Sequence, residues 1–465
     1  MRGPWLNEAQ GDLNADMTQS HMSKTDMSIF GGDLSDFNRR DEVIALLSNE
    51  GYKTGRLPQR GPMPGSRLPF VLAVIALLPF ASKAPAQATV IALRGATVHT
   101  ATGAVIRNGI VLIRDGKIAD VGANVSVPAD ARVIDLAGKE IIPGMVDNHS
   151  HIGAAPEDLN EQAVSFGPQH RMVDALNPDD RGWKPAADAG VTTVVTGTGS
   201  GEVSSGEAAV VKTYGPEFSK RILKEVGGLK IAMGRKRPDR PPSTSPAVTA
   251  GLRAMFIHAR EYMDAWSRWE AGGKQGAPPA RDLGMETVAR VLRHEDYVRA
   301  HVHSASDIMA LLKLKDEFGF DLALHHSTEA YKVADEIAKR HVDVVGMPLF
   351  VRIGLKEEIM RSPVTLWKAG VLYAFHTDDP VVQSKWFRYC GAMAVRYGLP
   401  EEEALKGLTI NAAKIARVAD RVGSIERGKD ADIVVLDGPW FEPKTRVDLV
   451  YVDGNVAYDR AKEGK

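Results

Sequence analysis

Hydrophobic and polar positions form one pattern near the two ends of the chain and another in its middle. Between Val90 and Gly144, short apolar stretches alternate with turns such as Asp115-Gly116, a pattern typical of β-hairpins. The same pattern returns after Ala431, where Asp453-Gly454 separates two more β-rich stretches. Because both ends share this pattern, we predict that they combine into one small β-domain.

The middle of the chain alternates apolar stretches with helical periodicity. Eight stretches have the length and composition of buried strands: 141–146, 191–196, 208–213, 229–233, 298–303, 321–326, 342–347 and 371–376. Three of the gaps between them have helical patterns, at 305–317, 329–340 and 356–368. This alternation predicts an α/β fold, a (β/α)8 TIM barrel at 143–421, beside the small β-domain from 89–142 and 422–465. A Gly/Ser-rich loop, and not a helix, joins the second and third strands.

The residues before the predicted domains resemble a targeting segment. A basic flank, an apolar run at 68–80 and an Ala-x-Ala ending at Ala88 predict a secretory signal peptide over 63–88. The apolar run is too short for a stable membrane span. The polar tail at 1–62 is expected either to precede the true start at Met63 or to be a native tail before a weak anchor, and we favour the first. The predicted location is therefore periplasmic or secreted.

Composition excludes several classes of function. The chain has 465 residues and a formal net charge of -1, and no basic cluster with interleaved aromatics predicts a nucleic-acid partner. Cys390 is the single cysteine, so neither an intramolecular disulfide nor a Cys-ligated metal site can form. The loop at 197–206 does not complete a dinucleotide-binding motif, because position 202 is Glu and no helix pattern follows. We expect this loop at the barrel mouth.

Histidines collect where the predicted strands end. Of the 13 histidines, seven lie at four strand ends: His149 and His151, His301 and His303, His325 and His326, and His376, which precedes Asp378. In a barrel, these ends meet at one face. A single histidine there is usually a hydrogen-bonded rim residue. Several buried together without a cation would leave polar groups unpaired, at substantial cost in free energy. The pattern therefore predicts a metal site.

Two motifs carry a family resemblance. The run Pro143-Gly-Met-Val-Asp-Asn-His-Ser-His151, together with the tail Thr409-Ile-Asn-Ala-Ala and the Gly428-Lys-Asp-Ala-Asp432 segment, resembles the amidohydrolase superfamily. The similarity is closest to its imidazolonepropionase-like members and extends over about 90–460. The resemblance implies a (β/α)8 TIM barrel with a small composite β-sandwich domain. The strand pattern independently predicts the barrel and a β-domain built from both ends.

The resemblance also implies roles for individual residues. His149 and His151 would bind the more buried metal, and His301 and His326 would be the next ligands. Asp378 would be the last ligand and the base for the attacking water, which makes Asp378 and His326 the expected catalytic residues.

Further residues are expected around these ligands. His303, Glu329 and His376 are predicted to line the substrate site. His303 remains a rival ligand, since it faces the same side of its strand as His301. His325 and His326 should point to opposite sides, so that only one of them enters the barrel.

Family members with two metals bridge them with a carboxylated lysine or a glutamate. Lys230, in Gly228-Leu-Lys-Ile-Ala-Met233, resembles the lysine motif on strand four, and Lys212 is the competing candidate. A snorkelling lysine at a strand end is an equally good interpretation of Lys230.

The resemblance implies a metal-dependent hydrolase of non-peptide or dipeptide-type amide C–N bonds, acting through a metal-activated water. Zinc is the expected cofactor, as one or two ions, and Mn, Fe or Co also suit the ligand types. The alternatives are a mononuclear deaminase, a prolidase-like or isoaspartyl-type dipeptidase on the same barrel, and a non-catalytic relic that binds ligands. The expected partner is a small-molecule amide or short-peptide substrate, and a homo-oligomer is common in the family. Fold and metal site do not name the substrate.

Overall fold

The structure, a computed structural model, describes residues 90–236, 241–348 and 356–464. The predicted signal peptide at 63–88 and the polar tail at 1–62 lie outside the described residues. Among the helices of the described part, none combines the length and the apolar character that crossing a bilayer requires.

Eighteen strands are present in the described residues: β1 (Val90–Val98), β2 (Ile106–Arg114), β3 (Lys117–Gly122), β4 (Arg132–Asp135), β5 (Glu140–Pro143), β6 (Met145–Ser150), β7 (Val191–Thr196), β8 (Ser204–Glu207), β9 (Ala209–Lys212), β10 (Ile222–Lys224), β11 (Leu229–Ala232), β12 (Val298–Val302), β13 (Leu322–His326), β14 (Asp343–Gly346), β15 (Tyr373–Phe375), β16 (Ile433–Leu436), β17 (Val447–Val452) and β18 (Asn455–Asp459).

The helices of the described residues are α1 (Trp183–Asp188), α2 (Phe218–Arg221), α3 (Ser245–Ala271), α4 (Leu283–Leu292), α5 (Ala305–Phe318), α6 (Ala334–Lys339), α7 (Glu357–Met360), α8 (Ser362–Lys368), α9 (Phe387–Arg396), α10 (Glu401–Leu408) and α11 (Ile410–Ile415). Short 3-10 turns cover Pro156–Asp158, Met172–Ala175, Ala330–Val333 and Ser384–Trp386.

One eight-stranded sheet contains strands from both ends of the described chain. Its order is β18-β17-β16-β5-β1-β2-β3, and β4 pairs with β1. The two predicted Asp-Gly hairpins are confirmed as β2–β3 and β17–β18. All four turn residues, Asp115-Gly116 and Asp453-Gly454, have positive φ. A two-residue turn with positive φ at both positions matches the twist of the strands it joins, which explains both pairs.

The first predicted barrel strand, 141–146, is in fact two strands that meet at Gly144. β5 pairs with β16 in the eight-stranded sheet, whereas β6 pairs with β7 in another. A Cβ added at Gly144 would lie 2.2 Å from Thr192 Oγ1, so only glycine fits here. The chain therefore passes from one sheet to the next at this residue.

The remaining strands form two sheets, with the orders β10-β9-β7-β6 and β15-β14-β13-β12-β11-β8. Strands β11 to β15 are parallel, and α5, α6 and the α7–α8 pair lie between successive strands. The other seven predicted barrel strands correspond to β7, β9 and β11 to β15. The fold is a TIM-barrel-like α/β fold with mixed sheets.

The predicted (β/α)8 barrel has parallel strands, and β9 departs from that pattern. β9 runs antiparallel to β7, and Lys212 at its carboxyl end pairs with Thr193 near the start of β7. The connection between β7 and β9 contains β8 but no helix. Parallel neighbours need a long crossover, usually helical, so a connection without one returns antiparallel. This reversal places Lys212 away from the end where β7 finishes.

Backbone hydrogen bonds join the two smaller sheets at two places. Ala208 N donates to Gly228 O at 3.1 Å, and Asp378 N donates to His149 O at 2.9 Å. The second bond links the residues after β15 to the end of β6, which brings two predicted metal ligands side by side.

Candidate metal centre

The predicted ligands converge at the carboxyl ends of β6, β12, β13 and β15. Three groups of side chains each place their potential ligand atoms within 4.8 Å of one another: His149, His326 and His376; His301, His303 and His326; and His149, His151 and Asp378. His149 and His326 each belong to two groups. The three groups therefore form one continuous cluster.

Both neighbouring histidines of β13 approach His149, but only His326 belongs to the groups of potential ligands. His325 Nδ1 lies 3.1 Å from His149 Nδ1, and the His326 ring centroid lies 4.9 Å from that of His149. β13 ends at His326, whose φ is +62°, and Ser327 follows with φ +48°. A residue with left-handed backbone conformation interrupts the alternation of side chains between the two faces of a strand. Asp378 is also left-handed, with φ +57°, and such strained non-glycine residues are typical of functional sites.

The contacts of His151 suit a metal ligand. Its Nδ1 lies 2.7 Å from Gly197 O, and a carbonyl oxygen can only accept, so Nδ1 donates to it. Its Nε2 lies 3.0 Å from Asp378 Oδ1, so the imidazole and the carboxylate are close enough to bind the same cation. This arrangement, a backbone carbonyl behind a ligating imidazole, is common in metal sites.

Two hydroxyl groups hold His301 and His303 in a similar way. Ser200 Oγ lies 2.8 Å from His301 Nδ1, and Thr328 Oγ1 lies 2.8 Å from His303 Nδ1. The two Nε2 atoms face each other at 3.1 Å. Sequence reasoning missed both hydroxyls, although Thr328 follows the His325-His326 pair closely and Ser200 lies in the loop expected at the barrel mouth.

His376 was expected to contact substrate, and the structure places it among the potential ligands. Neither of its ring nitrogens makes a hydrogen bond within the part of the chain that the structure describes. Burial lowers its pKa to about 3. Burial also lowers the pKa values of His149, His301 and His326 well below the ordinary value. These rings are therefore neutral, which is the form that binds metals.

The two candidate lysines lie in different surroundings. Lys230 Nζ lies 3.1 Å from His149 Nε2. Burial, followed by the charge of Arg299, lowers the pKa of Lys230 to about 7. Lys212 instead forms ion pairs with three aspartates, Asp430, Asp432 and Asp453. Of the two candidates, the structure brings only Lys230 to the histidines.

Asp378 lies between two of the other predicted metal ligands. Its Oδ1 is 3.4 Å from His149 Nε2, and its Oδ2 is 4.0 Å from His326 Nε2. Burial acts to raise its pKa, but the hydrogen bond with His151 and nearby positive charge hold the pKa below the ordinary value. The carboxylate is therefore ionised at neutral pH.

A buried carboxylate links two of the strand ends that carry the histidines and Asp378. Asp147 accepts hydrogen bonds from His149 N at 3.2 Å, Thr377 N at 3.2 Å and the Thr377 hydroxyl. It therefore ties the end of β6 to the residues after β15. Burial raises its pKa to about 7. Its position within the histidine motif is the signal that could have indicated this role.

Glu329 was predicted to contact substrate, but its carboxylate has structural partners. Ala305 N donates to Glu329 Oε2 at 2.9 Å, and Lys332 Nζ donates to Oε1 at 2.6 Å. The first contact satisfies a backbone donor at the start of α5, as a helix cap does. Glu329 belongs to none of the three ligand groups.

The donor set fits a divalent metal ion. Two ligands bound tetrahedrally at the usual Zn–N distance are separated by about 3.3–3.4 Å. The contact of His149 with Asp378, at 3.4 Å, matches this separation, and that of His151 with Asp378 is shorter, at 3.0 Å. Neutral imidazoles and an ionised carboxylate are ligand types that zinc, manganese, iron and cobalt all accept.

Comparisons with known proteins agree with this chemistry. The model of the Amidohydrolase family matches residues 141–457. A solved structure of an amidohydrolase from Thermotoga maritima is similar, with 36% identity and a TM-score of 0.74, over 80% of this chain and 100% of that one.

Two curated relatives are similar over most of the chain. An imidazolonepropionase of Thermoplasma volcanium is 24% identical, over 77% of this chain and 93% of its own length. The amidohydrolase tasK of Hapsidospora irregularis is 28% identical over 76% of this chain, which spans only 40% of that relative.

Proposed function

The chain belongs to the amidohydrolase family and is a metal-dependent hydrolase of C–N bonds, and we propose that it cleaves small amides or dipeptide-type substrates. The observation that carries this proposal is the cluster of His149, His151 and Asp378 beside His301 and His326. Each of these side chains offers a donor that suits a divalent cation.

We assign His149, His151 and Asp378 to one metal position, and His301 and His326 to a second, with zinc as the expected ion. A bound divalent cation supplies Lewis acidity, which polarises a carbonyl and makes a bound water acidic near neutral pH. Gly197 O and Ser200 Oγ orient His151 and His301. Their role is to keep the Nε2 lone pairs directed into the cluster.

Asp378 is the proposed base. Its ionised carboxylate accepts a proton from the attacking water and then delivers that proton to the leaving nitrogen. His326, 4.0 Å from Asp378 Oδ2, completes the proposed catalytic pair.

Lys230 is the proposed bridge between the two metal positions. Its amine lies beside His149, and its lowered pKa of about 7 leaves a large unprotonated fraction at neutral pH. An unprotonated amine is the form that takes up carbon dioxide to become a carbamate. Forming the carbamate releases one proton and would add one negative charge, shared by two oxygens, to a cluster otherwise dominated by neutral imidazoles.

The finer fold and the location are also proposals. We infer that the two smaller sheets are parts of one closed (β/α)8 barrel, because hydrogen bonds join them at Ala208 and at Asp378. We infer that the eight-stranded sheet belongs to a composite β-sandwich domain. The signal pattern at 63–88 supports export to the periplasm or the medium.

Metal content per chain tests the proposal. Elemental analysis of the purified wild type should give close to two ions, and Lys230→Ala should reduce this to one or none. Lys184→Ala, which removes an exposed lysine, should leave the content unchanged. One ion that is unaffected by Lys230→Ala would favour the mononuclear deaminase or hydrolase. No bound ion after supplementation with zinc, manganese or cobalt would favour the relic.

A further inference from the structure

A cavity of about 380 Å³ opens beside two histidines of the metal centre. His301 and His303 form part of its wall, and Arg235, Lys236, Ser304 and Asp307 also line it. The position suits the part of a substrate that extends from the bond to be cleaved.

Positive charge lies close to the histidines in this cavity. Lys236 Nζ donates to Ser200 O at 3.0 Å, and Ser200 Oγ in turn contacts His301 Nδ1 at 2.8 Å. One residue therefore separates the ammonium group from a proposed ligand. Arg235 adds an exposed guanidinium to the same cavity.

The acidic residue in the described wall has a structural role. Asp307 accepts a hydrogen bond from Ser304 Oγ at 2.6 Å, and Ser304 Oγ accepts one from Asp307 N at 3.1 Å. This reciprocal pair closes the first turn of α5, where negative charge is favourable. Asp307 is thus held by the helix, whereas Arg235 and Lys236 line the cavity and Lys236 Nζ contacts Ser200 O beside it.

We propose that this cavity binds a free carboxylate of the substrate, so that the enzyme acts on amides of the N-acyl amino acid or dipeptide class. This inference rests on the proposed amide hydrolysis. A guanidinium and an ammonium give charge-assisted hydrogen bonds, which are the strongest that a carboxylate makes. Because the cavity adjoins His301, the carboxylate would lie a few bonds from the scissile carbonyl, as in the carboxyl-terminal residue of a dipeptide.

Binding to the metal-loaded, full-length enzyme tests the proposal. The probes are N-acetyl amino acids with small, branched, cyclic and charged side chains, each paired with its carboxamide. Calorimetry should give a Kd about tenfold lower for the acid than for the amide in at least one pair, as expected for a charge-assisted contact. Arg235→Gln and Lys236→Gln should each reduce that ratio. Lys313→Gln, which removes an exposed lysine of α5 outside the cavity, should preserve it.

Two results would overturn the inference. Acids and amides could bind equally in every pair, or the preference could persist in the double variant Arg235→Gln/Lys236→Gln, which would place the carboxylate elsewhere. Turnover of the matching dipeptides and dipeptide amides separates the two proposals. Cleavage of both kinds at equal kcat/KM refutes only the carboxylate site, whereas cleavage of neither refutes amide hydrolysis.

Discussion

Lys212 and Lys230 are both buried on strands of the smaller sheets, and their surroundings are opposite. Burial lowers the pKa of Lys212, but the carboxylates of Asp432, Asp453 and Asp430 outweigh it and raise the pKa above its usual range. Lys230 contacts His149, and burial lowers its pKa to about 7. One lysine is fixed as a cation, while the other can lose its proton.

The difference distinguishes a structural cluster from a chemical one. Around Lys212, each cation faces a carboxylate, and Lys117 and Arg421 also pair with Asp430. This cluster joins β9 to residues beside the eight-stranded sheet. Around Lys230, neutral imidazoles face one another and the ring nitrogens of His376 make no hydrogen bond with described residues. Burying ring nitrogens without hydrogen bonds costs free energy unless a ligand binds them. The histidine cluster around Lys230 is therefore the functional one.

The largest expected effect is on the chemical cluster. Asp378→Asn should lower kcat about ten-thousandfold, because an amide cannot accept the proton of the attacking water. The circular dichroism spectrum and melting temperature should stay close to those of the wild type. Asp316→Asn, on the exposed face of α5, should retain full activity. Activity near the wild-type level in Asp378→Asn would refute its role as base.

A substitution in the structural cluster around Lys212 should lower the stability of the fold. Lys212→Met leaves Asp432 buried without its cation, while Asp430 keeps Lys117 and Arg421, so the free energy of unfolding should fall by about 3–5 kcal/mol. Urea denaturation measures this change. Lys184→Met, at an exposed ion pair, should change it by less than about 0.5 kcal/mol. A small effect of Lys212→Met would mean that these ion pairs contribute little to the stability of the fold.

Removing a hydroxyl group would sharpen the comparison at the metal centre. Ser200→Ala removes the partner of His301 Nδ1, 2.8 Å away, and leaves the Ser200 backbone carbonyl in place. Loss of such an orienting contact typically weakens metal binding about 10- to 100-fold. Competition with a chelator, followed by elemental analysis, would show the change. An unchanged affinity would contradict the role of Ser200 in orienting His301.

The smallest expected effect concerns Glu329. Glu329→Gln should lower the free energy of unfolding by about 0.5–1 kcal/mol, since it weakens the contact with Ala305 N and removes the ion pair with Lys332. KM should not change if the carboxylate serves only α5. A large rise in KM with unchanged stability would support the sequence-based prediction that Glu329 contacts substrate.

Local patterns were enough to predict most of the elements. Short apolar stretches located the strands, and the Asp-Gly pairs located both hairpins, because these features depend on a few neighbouring residues. The strand ends also located His149, His301 and Asp378, since parallel neighbours end at one face. Family motifs added the amidohydrolase assignment, which the match over residues 141–457 supports.

Only the tertiary structure decided which of the remaining residues join the cluster. The antiparallel direction of β9 places Lys212 away from the histidine cluster, because strand direction depends on the partner strand and on the connection between the two strands. The fold also decided between the neighbours His325 and His326, since only His326 joins the ligand groups while His325 contacts His149. Ser200 and Thr328 reach the histidines from other elements, through contacts that no local spacing encodes. The sequence determined which chemistry is available, and long-range packing determined which groups meet, since periodicity describes a strand and not its neighbours.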